Sequence, residues 1–288
     1  MAAYGRRGRL ALPDGTRLPC VVRGRHLRIV CGDRVRYSPG GPGEPALVDS
    51  VLPRGNELQR LAARGSPETI AANVTHLVVV LAARPDPDPY LTDRYLCAAR
   101  LMGATAAIAW NKADLSAPPP DVAAYARLEC PVFPVSARAG TGLEALRAFI
   151  GAGTAALVGQ SGVGKSSLLN ALVPGTDAGT GALSTATDEG RHTTTASQLL
   201  GLPGGGALVD TPGVRDFVPA MPDQRAIAAG FVEIAEHGRG CRFADCSHLR
   251  EEDCAVKAAV AAGRIDGRRY ESYRRLMNLA RQAAARDY

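Results

Sequence analysis

The chain has 288 residues, of which 46 % are hydrophobic and 22 % are charged, a balance typical of globular proteins. This length predicts roughly two to three domains. No apolar run approaches the ~20 residues that span a bilayer, and the first residues do not resemble a signal peptide. We therefore expect a cytoplasmic protein with no membrane contact, and its seven cysteines do not suggest a disulfide framework.

The net charge of +6 is concentrated at the two ends of the chain. Residues 1–60 hold eleven arginines against five acidic residues, and residues 257–288 hold seven arginines and Lys257 against three. Two basic ends favour a polyanion as partner, above all a nucleic acid. The alternative is that each end is simply a solvated, arginine-rich surface.

Residues 1–56 read as short β-strands separated by turns, with strand-like segments at 18–23, 27–30, 33–37 and 46–51. Turn signals occur at Asp14-Gly15 and within the glycine- and proline-rich segment 39–43. This pattern predicts a small, basic β-barrel of the oligonucleotide-binding (OB) type as the first domain.

Residues 57–218 alternate between strand and helix, which predicts an α/β domain with a mainly parallel sheet. The expected strands are 77–82, 106–110, 132–135, 155–158, 198–202 and 207–209. The expected helices are 89–101, 122–128, 143–150 and 167–172. Residues 219–288 are predicted to form a third, mostly helical domain.

A glycine-rich sequence of the form GxxxxGKS, residues 159–166, follows one predicted strand and opens a helix. Glycines let the backbone curl so that its N–H groups point at phosphates, and the helix N-terminus adds positive potential. In this glycine loop, Lys165 is expected to contact the β and γ phosphates and Ser166 to bind Mg²⁺. The candidate phosphate contacts are Gly159, Gln160, Ser161, Gly162, Val163, Gly164, Lys165, Ser166 and Ser167.

A second motif, the NKAD sequence Asn111, Lys112, Ala113 and Asp114, is typical of guanine recognition. The Asp114 carboxylate can accept from both N1–H and the amino group of guanine, whereas adenine offers neither donor. Ser136 and Ala137, after a short apolar run, are candidates for the second loop that contacts guanine. A P-loop kinase of small molecules would also need Lys165, but it would have no use for Asp114.

The order of the motifs indicates a circular permutation, because the NKAD motif precedes the glycine loop by about 45 residues. After the loop come His192 and three threonines, a candidate switch I in which Thr194 would bind Mg²⁺. Asp210 and Gly213 then form a DxxG switch II. All elements of a GTP-binding domain are present in rotated cyclic order, so we predict binding of GTP and GDP.

Three cysteines and one histidine lie within 14 residues, in the pattern Cys-x4-Cys-x-His-x5-Cys. Cys241, Cys246, His248 and Cys254 form a complete tetrahedral ligand set for one structural Zn²⁺. A redox pair would need only two cysteines. The other four, Cys20, Cys31, Cys97 and Cys130, are scattered and are expected to be buried side chains.

Taken together, the chain resembles the RsgA family of circularly permuted GTPases that depend on the small ribosomal subunit. The resemblance rests on residues 190–195 and 210–215 and on the cysteine and histidine pattern. It implies a monomeric late assembly factor that binds the small (30S) subunit and its rRNA, acts alongside other assembly factors, and leaves after GTP hydrolysis. The family's barrel begins with a further strand, and only 13 residues precede Asp14 here, which leaves open whether the barrel is complete.

The residue after DxxG is Val214, where many GTPases have a glutamine that orients the attacking water. Intrinsic hydrolysis is therefore expected to be slow. His192 is the nearest polar candidate for a catalytic residue, unless it is merely exposed on a loop. The alternative function is a non-catalytic, GTP-gated RNA clamp.

Overall fold

The computed structural model describes residues 2–4, 7–12, 16–23, 27–61, 67–175, 197–210 and 223–285. Of the sequence-predicted site residues, His192, Thr194 and Gly213 lie outside these ranges. Among the described helices, none is both long and apolar enough to cross a lipid bilayer.

The N-terminal part forms the barrel-like sheet that the sequence predicts. Its strands, in the order β1-β2-β3-β5-β4, are β1 (Ala2–Tyr4), β2 (Arg7–Ala11), β3 (Arg17–Val22), β4 (Val35–Ser38) and β5 (Ala46–Val51). Neighbours are antiparallel except for the parallel pair β3 and β5. Alternate side chains such as Leu10, Cys20 and Val48 form its core. Two strands, β1 and β2, precede Asp14.

Two local expectations are wrong in this part of the chain. Residues 27–30 form no strand; the Val30 N–H instead donates to the Asp33 carboxylate at 2.8 Å, closing a turn. The α/β alternation also does not start at residue 57. An antiparallel hairpin comes first, made of β6 (Glu57–Leu61) and β7 (Pro67–Ala72), and its Leu58 and Ala71 pack into the core of the next sheet.

The central sheet has the order β10-β9-β8-β11-β13-β12 and is parallel except at its edge, where β12 runs antiparallel to β13. Its strands are β8 (His76–Leu81), β9 (Thr105–Trp110), β10 (Val132–Pro134), β11 (Thr154–Val158), β12 (Gln198–Gly201) and β13 (Ala207–Asp210). Residues 77–81 of β8 are all buried. Such a continuous apolar strand is typical of parallel sheets covered on both faces.

Helices cover both faces of this sheet. They are α1 (Pro89–Leu101), α2 (Pro120–Ala123), α3 (Leu143–Ile150) and α4 (Lys165–Leu172). The single helix expected at 122–128 is instead α2 followed by a 3-10 helix, Ala124–Leu128. Prolines immediately before α2 limit its start, and Glu129, in a left-handed conformation at φ 58°, ends the 3-10 helix.

The C-terminal part is helical, as predicted. After a 3-10 turn, Ile227–Gly230, come α5 (Val232–Gly238), α6 (Ala255–Ala261) and α7 (Gly267–Ala284). Phe231, Tyr273 and Met277 form their shared core, which also contains Cys97 from α1. Asp266 caps α7 by accepting from the Arg268 and Arg269 N–H groups.

Candidate functional site

The predicted motifs meet at one edge of the central sheet. The parallel strands end there at Leu81, Trp110, Pro134, Val158 and Asp210. The NKAD motif follows β9, Ser136 follows β10, and the glycine loop follows β11. In open α/β sheets this carboxyl-end edge is where ligands bind.

Two positions of the glycine loop require glycine, because each has a positive φ and because a Cβ at either position would clash with a neighbouring atom. Gly159 has a φ of 139°, and a Cβ there would lie 2.3 Å from the carbonyl oxygen of Val80. Gly164 has a φ of 93°, and a Cβ there would lie 2.4 Å from the Asn111 side-chain nitrogen. Gly164 also immediately precedes α4, so the curled backbone leads directly into a helix N-terminus. That combination suits an anion such as phosphate.

Lys165 is held inside the loop rather than extended into solvent. It is only 8 % exposed, and its Nζ donates to the carbonyl oxygens of Gly159 at 2.9 Å and Gln160 at 2.6 Å. Val163 is fully buried and anchors the loop to the core. The remaining side chains differ in exposure: Ser166 is half-buried, whereas Ser161 and Ser167 are exposed.

Asn111 joins three of the predicted motifs. Its side chain is 2 % exposed, and its Nδ2 donates to the Val163 carbonyl oxygen at 2.9 Å. Its Oδ1 accepts from the Ala137 N–H at 3.2 Å. The structure thereby brings the NKAD motif, the glycine loop and the second guanine-loop candidate together, although they are far apart in the sequence.

The rest of the NKAD motif borders the same loop. Lys112, at φ 61°, donates from Nζ to the carbonyl oxygens of Gly162 at 3.0 Å and Arg84 at 2.9 Å. The Ala113 N–H is bonded to the Val135 carbonyl at 3.0 Å, which leaves Asp114 exposed at the rim.

Ser136, at the other side of this edge, is completely buried. Its hydroxyl accepts from the Ala139 N–H at 3.0 Å, and its own N–H donates to the Thr141 carbonyl. These bonds fix the turn that presents the Ala137 backbone to Asn111. The predicted role of Ser136 is thus accompanied by a clear structural one.

Asp210 is the last residue of β13, half-buried and beside the strand that feeds the glycine loop. The pairing of Ala156 with Val209 sets this position. Its predicted companions Thr194 and Gly213, and the catalytic candidate His192, remain predictions because they lie outside the described residues.

Sequence reasoning missed a contact between the glycine loop and α1. The Asp88 N–H donates to Gln160 Oε1 at 3.1 Å, while the Asp88 carboxylate accepts from the Tyr90 and Leu91 N–H groups and so caps α1. The available signal was aspartate immediately before a proline, a common helix start.

The four residues of the predicted metal cluster, called here the Cys3His cluster, do come together. All four ligand atoms lie within 4.8 Å of one another. The Cys241 and Cys254 sulfurs are 3.8 Å apart, and each lies 3.4–3.5 Å from His248 Nδ1. Tetrahedral Zn²⁺ with bonds of about 2.3 Å to sulfur and about 2.0 Å to nitrogen requires edges of about 3.8 and about 3.5 Å. The donor set suits zinc, and the three separations among Cys241, Cys254 and His248 are close to these edges.

The loop that carries these ligands is organised by residues that the sequence did not reveal. Glu251 accepts from the Ser247 N–H and hydroxyl and from the Leu249 and Arg250 N–H groups, at 2.7–3.0 Å. Partial burial raises the pKa of Glu251, but these hydrogen bonds outweigh it and lower the pKa to about 2. Tyr270 and Tyr273 donate to the carbonyl oxygens of His248 and Ser247.

The other four cysteines are buried, as expected. Burial raises the pKa of the Cys31, Cys97 and Cys130 thiols to about 12, so these thiols stay neutral.

A buried ionic network joins α1 to the C-terminal helices, and it was also not foreseen. Arg269 donates to Asp93 at 2.6 Å and to Glu233 at 2.6 and 3.1 Å, and all three residues are buried. Arg268 and Tyr125 also donate to Asp93, at 2.8 and 2.6 Å. Burial by itself would lower the pKa of Arg269, but the hydrogen bonds to Glu233 and Asp93 and the charges of these two carboxylates raise it, so the guanidinium stays charged.

Comparison with known proteins agrees with this architecture. Residues 51–218 match the family model described as RsgA GTPase. Two relatives, from Ectopseudomonas mendocina and Azotobacter vinelandii, are 42 % and 43 % identical and are named small ribosomal subunit biogenesis GTPase RsgA. The alignments cover 95 % and 90 % of this chain and 80 % and 77 % of those proteins.

Two solved structures are similar over nearly the whole chain. YjeQ from Thermotoga maritima superposes with a TM-score of 0.74 at 29 % identity, covering 96 % of this chain and 95 % of its own. YloQ, a circularly permuted GTPase, has a TM-score of 0.75 at 24 % identity and covers 97 % and 93 %. The rotated motif order, the shared carboxyl edge of the sheet and these matches lead to one conclusion: the chain is a GTP hydrolase and belongs to the RsgA family of circularly permuted GTPases.

Proposed function

We propose that this protein is a GTPase that binds the small ribosomal subunit and assists its late maturation, hydrolysing GTP slowly alone and faster on the subunit. The observation that carries the proposal is the Asn111 side chain, which ties the NKAD motif, the glycine loop and Ala137 into one site. The residues proposed to recognise guanine and those proposed to bind phosphate thereby lie at one sheet edge.

In this proposal the glycine loop surrounds the phosphates and Lys165 neutralises part of their charge. Asp114, exposed at the rim, accepts from the guanine base, and the backbone of Ser136 and Ala137 completes the base site. Ser166, Asp210 and Thr194 would hold Mg²⁺, directly or through water. Bound Mg²⁺ neutralises charge on the β and γ phosphates.

We propose His192 as the residue that orients the attacking water, because Val214 cannot form the required hydrogen bond. On this view the subunit orders His192 against the γ-phosphate. Both residues lie outside the described ranges, so the support is chemical: an imidazole can accept from water and a valine cannot.

We further propose one structural Zn²⁺ at the Cys3His cluster. The support is the donor set itself, which supplies four ligands, and the separations among Cys241, Cys254 and His248, which are close to the edges of a zinc tetrahedron. Such an ion would fix the segment 241–254 to α6, because Cys254 immediately precedes that helix.

The proposed domains are the OB-like barrel (1–56), the permuted GTPase domain (57–218) and the helical zinc domain (219–288). Separate hydrophobic cores support this division: one for the N-terminal sheet, one on each face of the central sheet, and one for the C-terminal helices. Near the first boundary Arg54 forms a bidentate ion pair with the buried Asp33 and a further ion pair with Glu57, so the barrel is firmly joined to the hairpin β6–β7.

The proposed partner is the 30S subunit, contacted through its rRNA, with other assembly factors present on the same particle. The support is the name of the relatives, which refers to biogenesis of the small ribosomal subunit, and the two arginine-rich ends of the chain. A protein that works on this particle would be cytoplasmic, and we propose that it acts as a monomer.

The decisive experiment is GTP turnover by the purified protein with and without small subunits. We expect clear stimulation by small subunits and none by large subunits. Equal turnover under all conditions, together with GTP-dependent subunit binding, would favour the GTP-gated RNA clamp instead.

A further inference from the structure

A large groove lies beside the Cys3His cluster, between α5, the loop of residues 241–254 that carries the four ligands (the ligand loop) and α7. Its volume is about 1160 Å³, and its floor includes Ile234, Tyr273 and Met277. Ligand pockets for small molecules typically measure about 300–1,000 Å³, so this groove has room for a longer partner. We call it the knuckle groove.

The rim of the knuckle groove presents an aromatic ring to solvent. Phe243 is 54 % exposed, which is unusual for a side chain of this size among the described residues. It lies between two cluster cysteines, and its carbonyl accepts from the Cys246 N–H at 3.2 Å. This bond fixes the backbone from which the ring projects, and a backbone that is ordered before binding lowers the entropy cost of binding.

The same rim is positively charged. Arg225, Arg239 and Arg242 line the groove and are exposed, and none of them forms an ion pair with a carboxylate in the described part of the chain. The Arg242 guanidinium lies 5.4 Å from the Phe243 ring centroid. Asp245 is the acidic residue among the described lining residues, so three arginines face one carboxylate. A Zn²⁺ held by three thiolates would add one further negative charge, which leaves the groove with a net positive charge.

We propose that the knuckle groove binds unpaired nucleotides of RNA, with one base stacked on Phe243 and phosphates bound by the three arginines. This proposal rests on the proposed function, which supplies RNA as partner, and adds the site and the single-stranded form. An exposed ring stacks with a base only when the base face is open, and surrounding arginines bind the flanking phosphates. We favour RNA over an acidic peptide because the proposed function supplies RNA as partner; a peptide with an aromatic side chain is the alternative that the test distinguishes.

The test uses the full-length, zinc-loaded protein and two fluorescein-labelled probes of equal charge. One is a decamer of uridine, and the other is a ribose-phosphate decamer that lacks its bases. We expect wild type to bind the uridine decamer roughly 5- to 100-fold more tightly at about 50 mM salt, because base stacking contributes that much. Phe243→Leu should remove this preference and Phe243→Tyr should keep it.

Leu279→Ala is the matched control, since Leu279 is also a large exposed apolar residue, 46 % exposed, and it does not line the groove. It should leave both affinities unchanged. All variants should retain zinc and bind GTP normally, which excludes unfolding. Arg239→Gln and Arg242→Gln should each make the salt dependence shallower by about 0.7 in the log–log slope for single strands.

Three results would overturn the proposal: equal binding of the two probes by wild type, no binding of either, or wild-type affinity of Phe243→Leu for the uridine decamer. If Phe243→Leu weakens subunit binding while wild type binds both decamers equally, the groove contacts a ribosomal protein and the RNA assignment is wrong. Stimulation of GTP turnover by subunits is measured separately, so a failure here is distinguishable from failure of the proposed function.

Discussion

At the scale of single residues, the NKAD motif contains one buried side chain that bonds to neighbouring loops and one exposed side chain that is available to a ligand. Asn111 is 2 % exposed and bonds to backbone of two other loops, so it holds the site together. Asp114 is exposed at the rim, where its carboxylate is available to a base. The two residues should therefore respond differently to mutation.

We predict that Asp114→Asn changes the base preference from guanine to xanthine. Asparagine cannot accept from both guanine donors, and we expect GTP binding to weaken by about 2–4 kcal/mol through unpaired polar groups. Xanthosine triphosphate, with a carbonyl at position 2, should bind better than GTP. Titration with fluorescent nucleotides measures this. Asp121→Asn, at an exposed carboxylate in the first turn of α2, should have no effect. Equal affinity of wild type for ATP and GTP would refute the assignment.

We predict that His192→Ala abolishes hydrolysis stimulated by the subunit while leaving GTP and subunit binding nearly unchanged. The reason is that the imidazole acts only on the attacking water. Thr194→Ala should instead weaken binding of Mg²⁺-GTP, since a metal ligand is lost. Single-turnover rates on purified subunits, with binding measured in parallel, separate the two. Full stimulation of His192→Ala would mean that the catalytic group comes from elsewhere, including the ribosome.

At the scale of elements, the ligand loop 241–254 has little regular structure, and its shape depends on specific bonds. Glu251 accepts four hydrogen bonds within the loop. Two tyrosines of α7 also donate hydrogen bonds to backbone carbonyl oxygens of the loop. A bound Zn²⁺ would add the strongest constraint, because structural zinc contributes directly to folding.

We predict that Cys246→Ala loses zinc, about one ion per chain in wild type, and unfolds the C-terminal helices. GTP binding should be mostly retained, because the glycine loop is anchored in the separate core of the central sheet. Metal analysis, limited proteolysis and nucleotide titration measure the three effects. The control is Cys20→Ala, which changes a buried cysteine of the N-terminal sheet; this variant should retain about one zinc ion per chain. If wild-type protein prepared without chelators contains no zinc, the proposed zinc site at the Cys3His cluster is wrong.

Helix α1 contacts both the nucleotide site and the C-terminal helices. Its start is tied to Gln160 of the glycine loop through Asp88, and its middle carries Asp93, which pairs with Arg269. Burial makes this ion pair sensitive to loss of one partner, because the remaining charge would be left without compensation.

We predict that Arg269→Ala destabilises the protein by about 3–5 kcal/mol, the usual cost of breaking a buried ion pair. Unfolding in urea, monitored by the release of zinc, measures the free energy of unfolding of each variant. Arg274→Ala, which removes an exposed ion pair with Glu271, should cost at most about 1 kcal/mol. Similar stability of the two variants would mean that the network contributes little.

At the scale of the whole molecule, the two basic ends differ in how they can be tested. Arginines 7 and 9 of β2 are exposed on the N-terminal sheet, so their charge can be removed without touching its core. Truncating the C-terminal helix would instead delete Tyr273, Leu276 and Met277 from a hydrophobic core. Charge substitutions, rather than deletions, are therefore the informative changes.

We predict that subunit binding weakens by ~10-fold or more between about 50 and about 200 mM salt, because several phosphates are neutralised. The double variant Arg7→Gln, Arg9→Gln should bind more weakly and show a shallower salt dependence, while its GTP affinity stays the same. Sedimentation with purified subunits measures this. Association that does not depend on salt would indicate contacts with ribosomal proteins rather than RNA.

The sequence by itself determined the features that depend on residue type and local spacing. The glycine loop, the NKAD motif and the Cys3His pattern were recognisable because each chemistry needs particular side chains at fixed intervals. Buried parallel strands such as β8 were predictable because both of their faces are apolar. The circular permutation was also predictable, because the order of the motifs along the chain can be read directly from the residues.

Only the tertiary structure decided how distant segments meet. Asn111 contacts a carbonyl 52 positions away, and Arg269 pairs with Asp93 across 176 positions. The hairpin β6–β7 forms where helix and strand alternation was expected, because its apolar side chains complete a core assembled by other elements. The contacts of Glu251 and Tyr270 and the exposure of Phe243 likewise depend on the path of the ligand loop. Such contacts depend on the packing of whole elements, and no local pattern of residues encodes that packing.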